Sequence, residues 1–422
     1  MLQEKLGALK RKLEKEQMVR LALPIKFSFK DHDVLDFERF LSFFNWSLHD
    51  VPVQIDLTTC QSANYQALSL LVLYAWKLRS QDCKVSFKIE DKSDIGASFM
   101  WINMGARGLF YILTNPTQQF HGNKFKPLFA VRSANDFKVV IESAESFTNG
   151  FNVEYENTFR YIIGELLYNT LEHGKVFGGQ SLKDIRIPSI VQFTWYRKTN
   201  EIHFIIADVG IGIKKHIEQA YPGQESDEDA IKLALKPKIS GTFGANDPYK
   251  NKNNAGMGLY ISSNIIRRLN ADMHVMSGNA LLHISPRDVT GRTLATEWPG
   301  AFVHITIRLE NNPAFILHKI MQEFRDAANT EQVTADHSEE STRFYVGINN
   351  HFGRYAEDKD AAIKFRDRRL FKAIEGGLVI TIDFDDVVSS PHSFLSALLA
   401  SPIESLVCKP TSESKLSMRH RR

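Results

Sequence analysis

The stretch Phe159–Gly174, FRYIIGELLYNTLEHG, combines two patterns that bear on the whole chain. Phe159, Ile162, Ile163, Leu166, Leu167 and Leu171 recur at offsets of three, four, seven and eight, the spacing of one buried stripe on an amphipathic helix. Glu165, Asn169 and His173 follow one another at four-residue intervals and run beside that stripe. A carboxylate, an amide and an imidazole at the edge of a core are costly unless something satisfies them, and a bound ligand is one such partner. An ordinary amphipathic helix with polar flanks has the same periodicity, so the helix alone leaves both readings open.

Two glycine motifs downstream narrow the choice. The segment EIHFIIAD reads as a strand ending in Asp208, followed by Gly210 and Gly212 in VGIGI. A carboxylate there can accept a hydrogen bond from an exocyclic amine, and glycines let backbone approach a flat ring closely. Gly256-Met257-Gly258-Leu259 then opens the helical pattern YISSNIIRRLNA, where free N–H groups and the positive end of a helix would suit phosphate. Between them lies KPKISGTFGANDPYKNKNNAG, whose Gly, Asn, Lys and Pro suit a loop that orders over a ligand, although a plain surface loop has similar composition. The P-loop pattern GxxxxGK[ST] and the dinucleotide fingerprint GxGxxG after a strand are both absent.

In order and spacing, ELLYNTLEHG, IADVGIG and GMGLY resemble the N, G1 and G2 boxes of the GHKL ATPases, the group of gyrase, Hsp90, MutL and the histidine kinases. The resemblance covers about residues 130 to 310, and its N-box wording is nearest the anti-sigma-factor serine kinases and related bacterial ATP-binding proteins. It implies ATP and Mg²⁺ as cofactors. By the resemblance Asn169 supplies an amide oxygen to Mg²⁺, an ion that takes few protein ligands and fills its shell with phosphate and water. Glu165 becomes the general base, and His173 reaches the phosphates. Asp208 reads the adenine amine beside Gly210 and Gly212, while Gly256, Gly258 and the N–H of Leu259 cradle phosphate. Ser240, in KISG, resembles the lid serine of those proteins. Many relatives carry Gly-Thr before the final strand, where this chain has Gly300-Ala301.

Upstream, strands and helices alternate: IKFSF, a helix near 35–48, VQIDL, a helix over 65–78, KVSFKI, then the helical GASFMWINMGARGLF. A strand ending in Asp56 with a loop into an apolar helix resembles a STAS domain. Asn64, Tyr65 and Gln66 stand where that family's Asp-Ser-Ser falls, which argues against a phosphoswitch. Residues 114–155 read as a connector with one strand, KVVIE. Toward the other end, RFYVGI, AAIKFRDRRLFKAI, GLVITIDFD and SPHSFLSALLA again resemble a small STAS-like unit, with Asp383 at a strand end.

The expected fold class is α/β: a central Bergerat-type sandwich, a mixed sheet covered by helices, flanked by two smaller STAS-like α/β domains. The expected division is an amphipathic basic helix over 1–24, a STAS-like domain over 25–125 and the ATP-binding domain over 126–325, with its lid at 236–255. A linker over 326–342, a STAS-like domain over 343–408 and an unstructured basic tail over 409–422 complete it.

Composition sets outer bounds. The 422 residues suffice for two or three domains with their own cores. A charged fraction of 24% and a net charge of +3 give no nucleic-acid signal. Three widely spaced cysteines suggest neither zinc nor a disulfide framework and point to a reduced, cytoplasmic setting. No apolar run approaches the roughly 20 residues that span a bilayer, and the charged start lacks a signal-peptide core. The expected function is a nucleotide-dependent conformational switch that hydrolyses ATP and acts on a partner protein through its STAS-like domains, with a homodimer as one arrangement open to it. The alternatives are a protein serine kinase of the anti-sigma type and a non-catalytic nucleotide-binding scaffold.

Overall fold

The computed structural model describes residues 18–31, 34–148, 153–173, 176–177, 185–241, 258–269, 271–309, 323, 343–348, 352, 356–376, 379–384, 387, 389–408 and 416–419. The chain is α/β, with parallel and antiparallel sheets. It divides into two compact units, Met1–Gly210 with Ile266–Pro313, and Ile211–Ile265 with Ala314–Arg422.

In the first unit, a five-stranded sheet is built from Leu128–Val131, Ser189–Tyr196, Glu201–Ala207, Val289–Arg308 and Asp272–Ile284, in that spatial order. Every pairing in it is antiparallel. The mixed sheet expected at the centre is thus corrected: parallel pairing occurs in separate sheets. Short connections such as 197–200 can join only antiparallel neighbours, whereas parallel strands need a crossover. One such crossover stands in the same unit, where Val19–Ala22, Pro52–Asp56 and Lys84–Lys88 form a three-stranded parallel sheet around the helix Tyr65–Ser80.

The two faces of the five-stranded sheet carry different helices, because side chains alternate along each strand. On one face Phe159 of the helix Val153–His173 meets Phe193 and Phe204 edge-on, at 5.7 and 5.2 Å between ring centroids. The helix Ala134–Thr148 lies beside it, with Phe137 and Ile141 next to Gly164. The opposite face meets Tyr65–Ser80, whose Gln66 Nε2 donates to Gln192 Oε1 at 2.8 Å in the interior. That helix packs on both the five-stranded and the three-stranded sheet, which is why it is apolar nearly all round and buried at positions 65–76 without a break.

Several local expectations change. KVVIE is part of the helix Ala134–Thr148, not a strand. Val140 and Ala144 are fully buried while Val139 is exposed, a helical period that the β-branched run conceals. Ser133 and Asp136 cap it reciprocally, Ser133 Oγ accepting from Asp136 N at 3.3 Å and Asp136 Oδ2 from Ser133 N at 3.2 Å. The helix expected near 35–48 reduces to Phe37–Leu41. Val19–Ala22, at the end of the expected basic helix, is a strand; residues 1–17 of that helix lie outside the described residues.

The second unit contains the helices Gly212–Glu218 and Asp227–Ala234 and a parallel sheet of Arg343–Gly347, Val379–Asp383 and Leu416–Arg419. Lys359–Phe365 and His392–Cys408 pack together in its core, with Phe394 fully buried. Leu416–Arg419 falls in the expected unstructured tail, yet pairs with Val379–Asp383: an edge strand with unpaired backbone groups offers a ladder that even a short polar segment can complete. Among the described residues, no helix is long and apolar enough to cross a membrane.

Candidate functional site

Glu165 and Asn169 are half-buried on the helix Val153–His173, one turn apart, as the four-residue spacing requires. His173 ends the same helix. The stripe beside them is core: Phe159, Ile162, Ile163, Leu166 and Leu167 are all buried. This helix is laid against the strand Glu201–Ala207, which leads directly into Asp208.

Asp208 is buried, and its surroundings come from two distant parts of the chain. Its own loop bends back so that Oδ1 accepts from Gly210 N at 2.7 Å. Its N–H donates to Ala301 O at 2.9 Å, and its carbonyl accepts from Trp298 Nε1 at 2.8 Å. Burial pushes its carboxyl up to about 6, against hydrogen bonds from the backbone of Gly210 and Ala301 and the Arg186 guanidinium, which pull the other way. At neutral pH the group therefore carries a charge in a poorly solvated place, a setting in which a hydrogen-bond donor is held more strongly than in water.

The geometry depends on a bulge. Ser277 pairs with Ala301 and Gly278 with Trp298, so Pro299 and Gly300 are extra on the longer strand. Proline lacks a ladder donor and fits such a bulge. A Cβ on Gly300 would stand 2.4 Å from Asp208 O, 2.6 Å from Asp208 Oδ1 and 2.6 Å from Gly210 N. Only glycine lets the two backbones approach this closely. Ser277 Oγ donates to Gly300 O at 2.7 Å and fixes the bulge from the other side.

The remaining expected residues lie in the second unit. Gly212 begins the helix Gly212–Glu218 at φ 78°, a left-handed value that favours glycine. His216, on that helix, accepts through Nε2 from Gly241 N at 3.1 Å, which brings Ser240 to the same helix. Burial pushes the His216 imidazole down to about 4, partly offset by Gln219, so the ring stays neutral and able to accept. Gly258 is buried and Leu259 half-buried at the start of the helix Gly258–Arg268. Gly256 and most of the expected lid, residues 242–255, lie outside the described residues. Among the described residues, no group of three or more His, Cys, Asp or Glu side chains is placed to hold a metal ion.

In the Tyr65 region, the three positions aligned with a phosphoswitch have structural tasks. Asn64 caps the helix by accepting from Ala67 N at 2.7 Å, Tyr65 Oη accepts from Asn103 Nδ2 at 2.8 Å, and Gln66 pairs with Gln192. Two contributors to the Asp208 site went unnoticed in the sequence, Trp298 and Arg186. The tryptophan directly before PGA was the available signal, while nothing local marks Arg186. No family model matches the chain, and no curated protein matches it.

Proposed function

We propose that the chain is a Mg·ATP-binding protein of the GHKL type, acting as a nucleotide-dependent conformational switch on a protein partner. The observation that carries this reading is the Asp208 arrangement. A buried carboxyl stands at a strand end, is held by the glycine two residues on, and is backed by a bulge where any side chain would collide. Such a construction suits reading the exocyclic amine of a flat base, and it favours adenine, which offers a donor there, over guanine, which offers an acceptor.

In this reading the donor set fits ATP with one Mg²⁺. The metal would supply charge neutralisation on the phosphates, and Asn169 would be its protein ligand, an amide oxygen being a donor that a hard ion accepts. Glu165, one turn earlier, would take the proton from an attacking water. His173, Gly256, Gly258 and Leu259 would face phosphate, and Ser240 would belong to the closing segment. The parallel sheets that end in Asp56 and Asp383 would present the switch to its partner.

Calorimetric titration of the whole chain with Mg·ATP tests the reading. Binding in the micromolar range that Asn169→Ala weakens at least tenfold supports it, and absence of binding overturns it. Glu165→Ala should retain binding and lose hydrolysis. An unchanged hydrolysis rate would leave nucleotide as a structural ligand, and transfer of radiolabelled phosphate to a serine of a co-purified protein would convert the switch into a kinase.

A further inference from the structure

We infer that Trp298 is a positioning residue for Asp208, and that the N-terminal segment 37–46 holds Trp298 in place. The inference rests on the ATP reading for the role of Asp208 and adds a part of the chain outside the three nucleotide motifs.

The contacts form a continuous series. Both carboxylate oxygens of Glu38 accept backbone N–H groups of the long strand, Oε2 from Ala295 and Oε1 from Thr296, each at 3.0 Å. Trp46 Nε1 donates to Glu297 O, also at 3.0 Å. Three consecutive residues, 295, 296 and 297, are thus gripped by side chains more than 250 positions earlier in sequence. The next residue is Trp298, which is fully buried. Its ring meets Phe44, Trp46 and Phe302 edge-on, at 5.6, 5.1 and 5.4 Å between centroids. With the indole fixed on three sides, its single N–H can point only one way, and there it meets the Asp208 carbonyl. Core packing alone would be served by phenylalanine, but a tryptophan whose one polar atom lands on the backbone of the base-reading residue does more than fill space.

The grip acts on a strand that the bulge at Pro299 and Gly300 has uncoupled from regular pairing. Bulges re-aim side chains, and the regular ladder no longer dictates where Trp298 points. Glu38 and Trp46 replace that constraint. A partner or modification that shifts the 37–46 segment would therefore move Trp298, and through it the Asp208 loop.

The test uses the full chain with Trp298→Phe, which keeps an aromatic ring and deletes the N–H, and Glu38→Ala, which releases the grip from a half-buried position. The first readout needs no nucleotide: the Gly210 amide, bonded to Asp208 Oδ1, should exchange with solvent about tenfold faster in Trp298→Phe, the factor that one lost hydrogen bond supports. The second is base-specific: the Kd for ATP should rise about tenfold while that for inorganic tripolyphosphate is unchanged. Glu38→Ala should shift both readouts in the same direction. Should Trp298→Phe fail to fold, Glu38→Ala decides alone. Gly210 exchange within twofold of wild type in a folded variant overturns the inference, as does equal weakening of ATP and tripolyphosphate. If wild type binds no ATP, the nucleotide reading falls, and Gly210 exchange still decides whether Trp298 positions the loop.

Discussion

Acid should weaken the first unit through a row of histidines outside the three sequence motifs, and replacing one of them should blunt the effect. His203, His304 and His274 lie on the sheet face under the N-terminal aromatic segment, with centroids 5.9 and 6.1 Å apart, and His283 stacks on His274 at 4.4 Å. Phe29 covers His304 and Phe37 covers His274. Neither ring nitrogen of His304 has a hydrogen-bond partner among the described residues, and Nδ1 of His274 has none. Burial, with the neighbouring imidazoles adding to it, pushes His274 down to about 3 and His304 well below its ordinary value. Lys30 adds to this at His304 and Arg292 at His274, while Asp272 beside His274 pulls the other way.

The sign follows from linkage. A histidine whose folded value is lowered binds its proton more readily when unfolded. Its contribution to stability is complete above the unfolded value near 6.5 and is lost as pH falls below it. At pH 5 each such group has lost about 2 kcal/mol, so His274 and His304 together remove about 4 kcal/mol, a large share of a typical 5–15 kcal/mol. Asp208 works oppositely: its folded value is raised to about 6, so its cost at neutral pH is relieved on acidification. That contribution is common to wild type and a histidine variant and cancels between them. The perturbation is His304→Phe, which suits the aromatic surroundings and removes two unpartnered nitrogens. Urea unfolding at pH 7 and pH 5 should show the variant more stable at pH 7 by about 1–3 kcal/mol, with the gap widening by about 2 kcal/mol at pH 5. An identical gap at the two pH values would refute the reasoning.

Further outcomes follow from single contacts. Gly300→Ala should cost about 1–3 kcal/mol in chemical unfolding, because its Cβ meets backbone that cannot give way, and it should abolish Mg·ATP binding in the same preparation. Ser133→Ala should destabilise by about 1 kcal/mol through loss of the cap on Ala134–Thr148, seen as faster amide exchange in the first turn. Gln66→Leu should cost about 1–3 kcal/mol by leaving Gln192 Oε1 without its donor, and Gln66→Leu with Gln192→Leu should recover part of that loss in a double-mutant cycle.

The sequence alone determined the features that depend on neighbours within one or two turns. The helix Val153–His173 was legible because its stripe recurs at helical spacing, and the strand into Asp208 because six apolar-rich residues precede a glycine turn. KVVIE misled because β-branched residues favour strands locally, while burial against Gly164 and a capping pair outside the run decided for helix. Only the tertiary structure could join Asp208 to Gly300 and Trp298, some 90 residues away, and Glu38 to Ala295 and Thr296. It also decided that the buried helix Tyr65–Ser80 serves two sheets at once, since an all-round apolar helix records that it is enclosed but not by what. Periodicity fixes which face of an element is buried. What that face meets depends on chain closure over long distances, which no local pattern encodes.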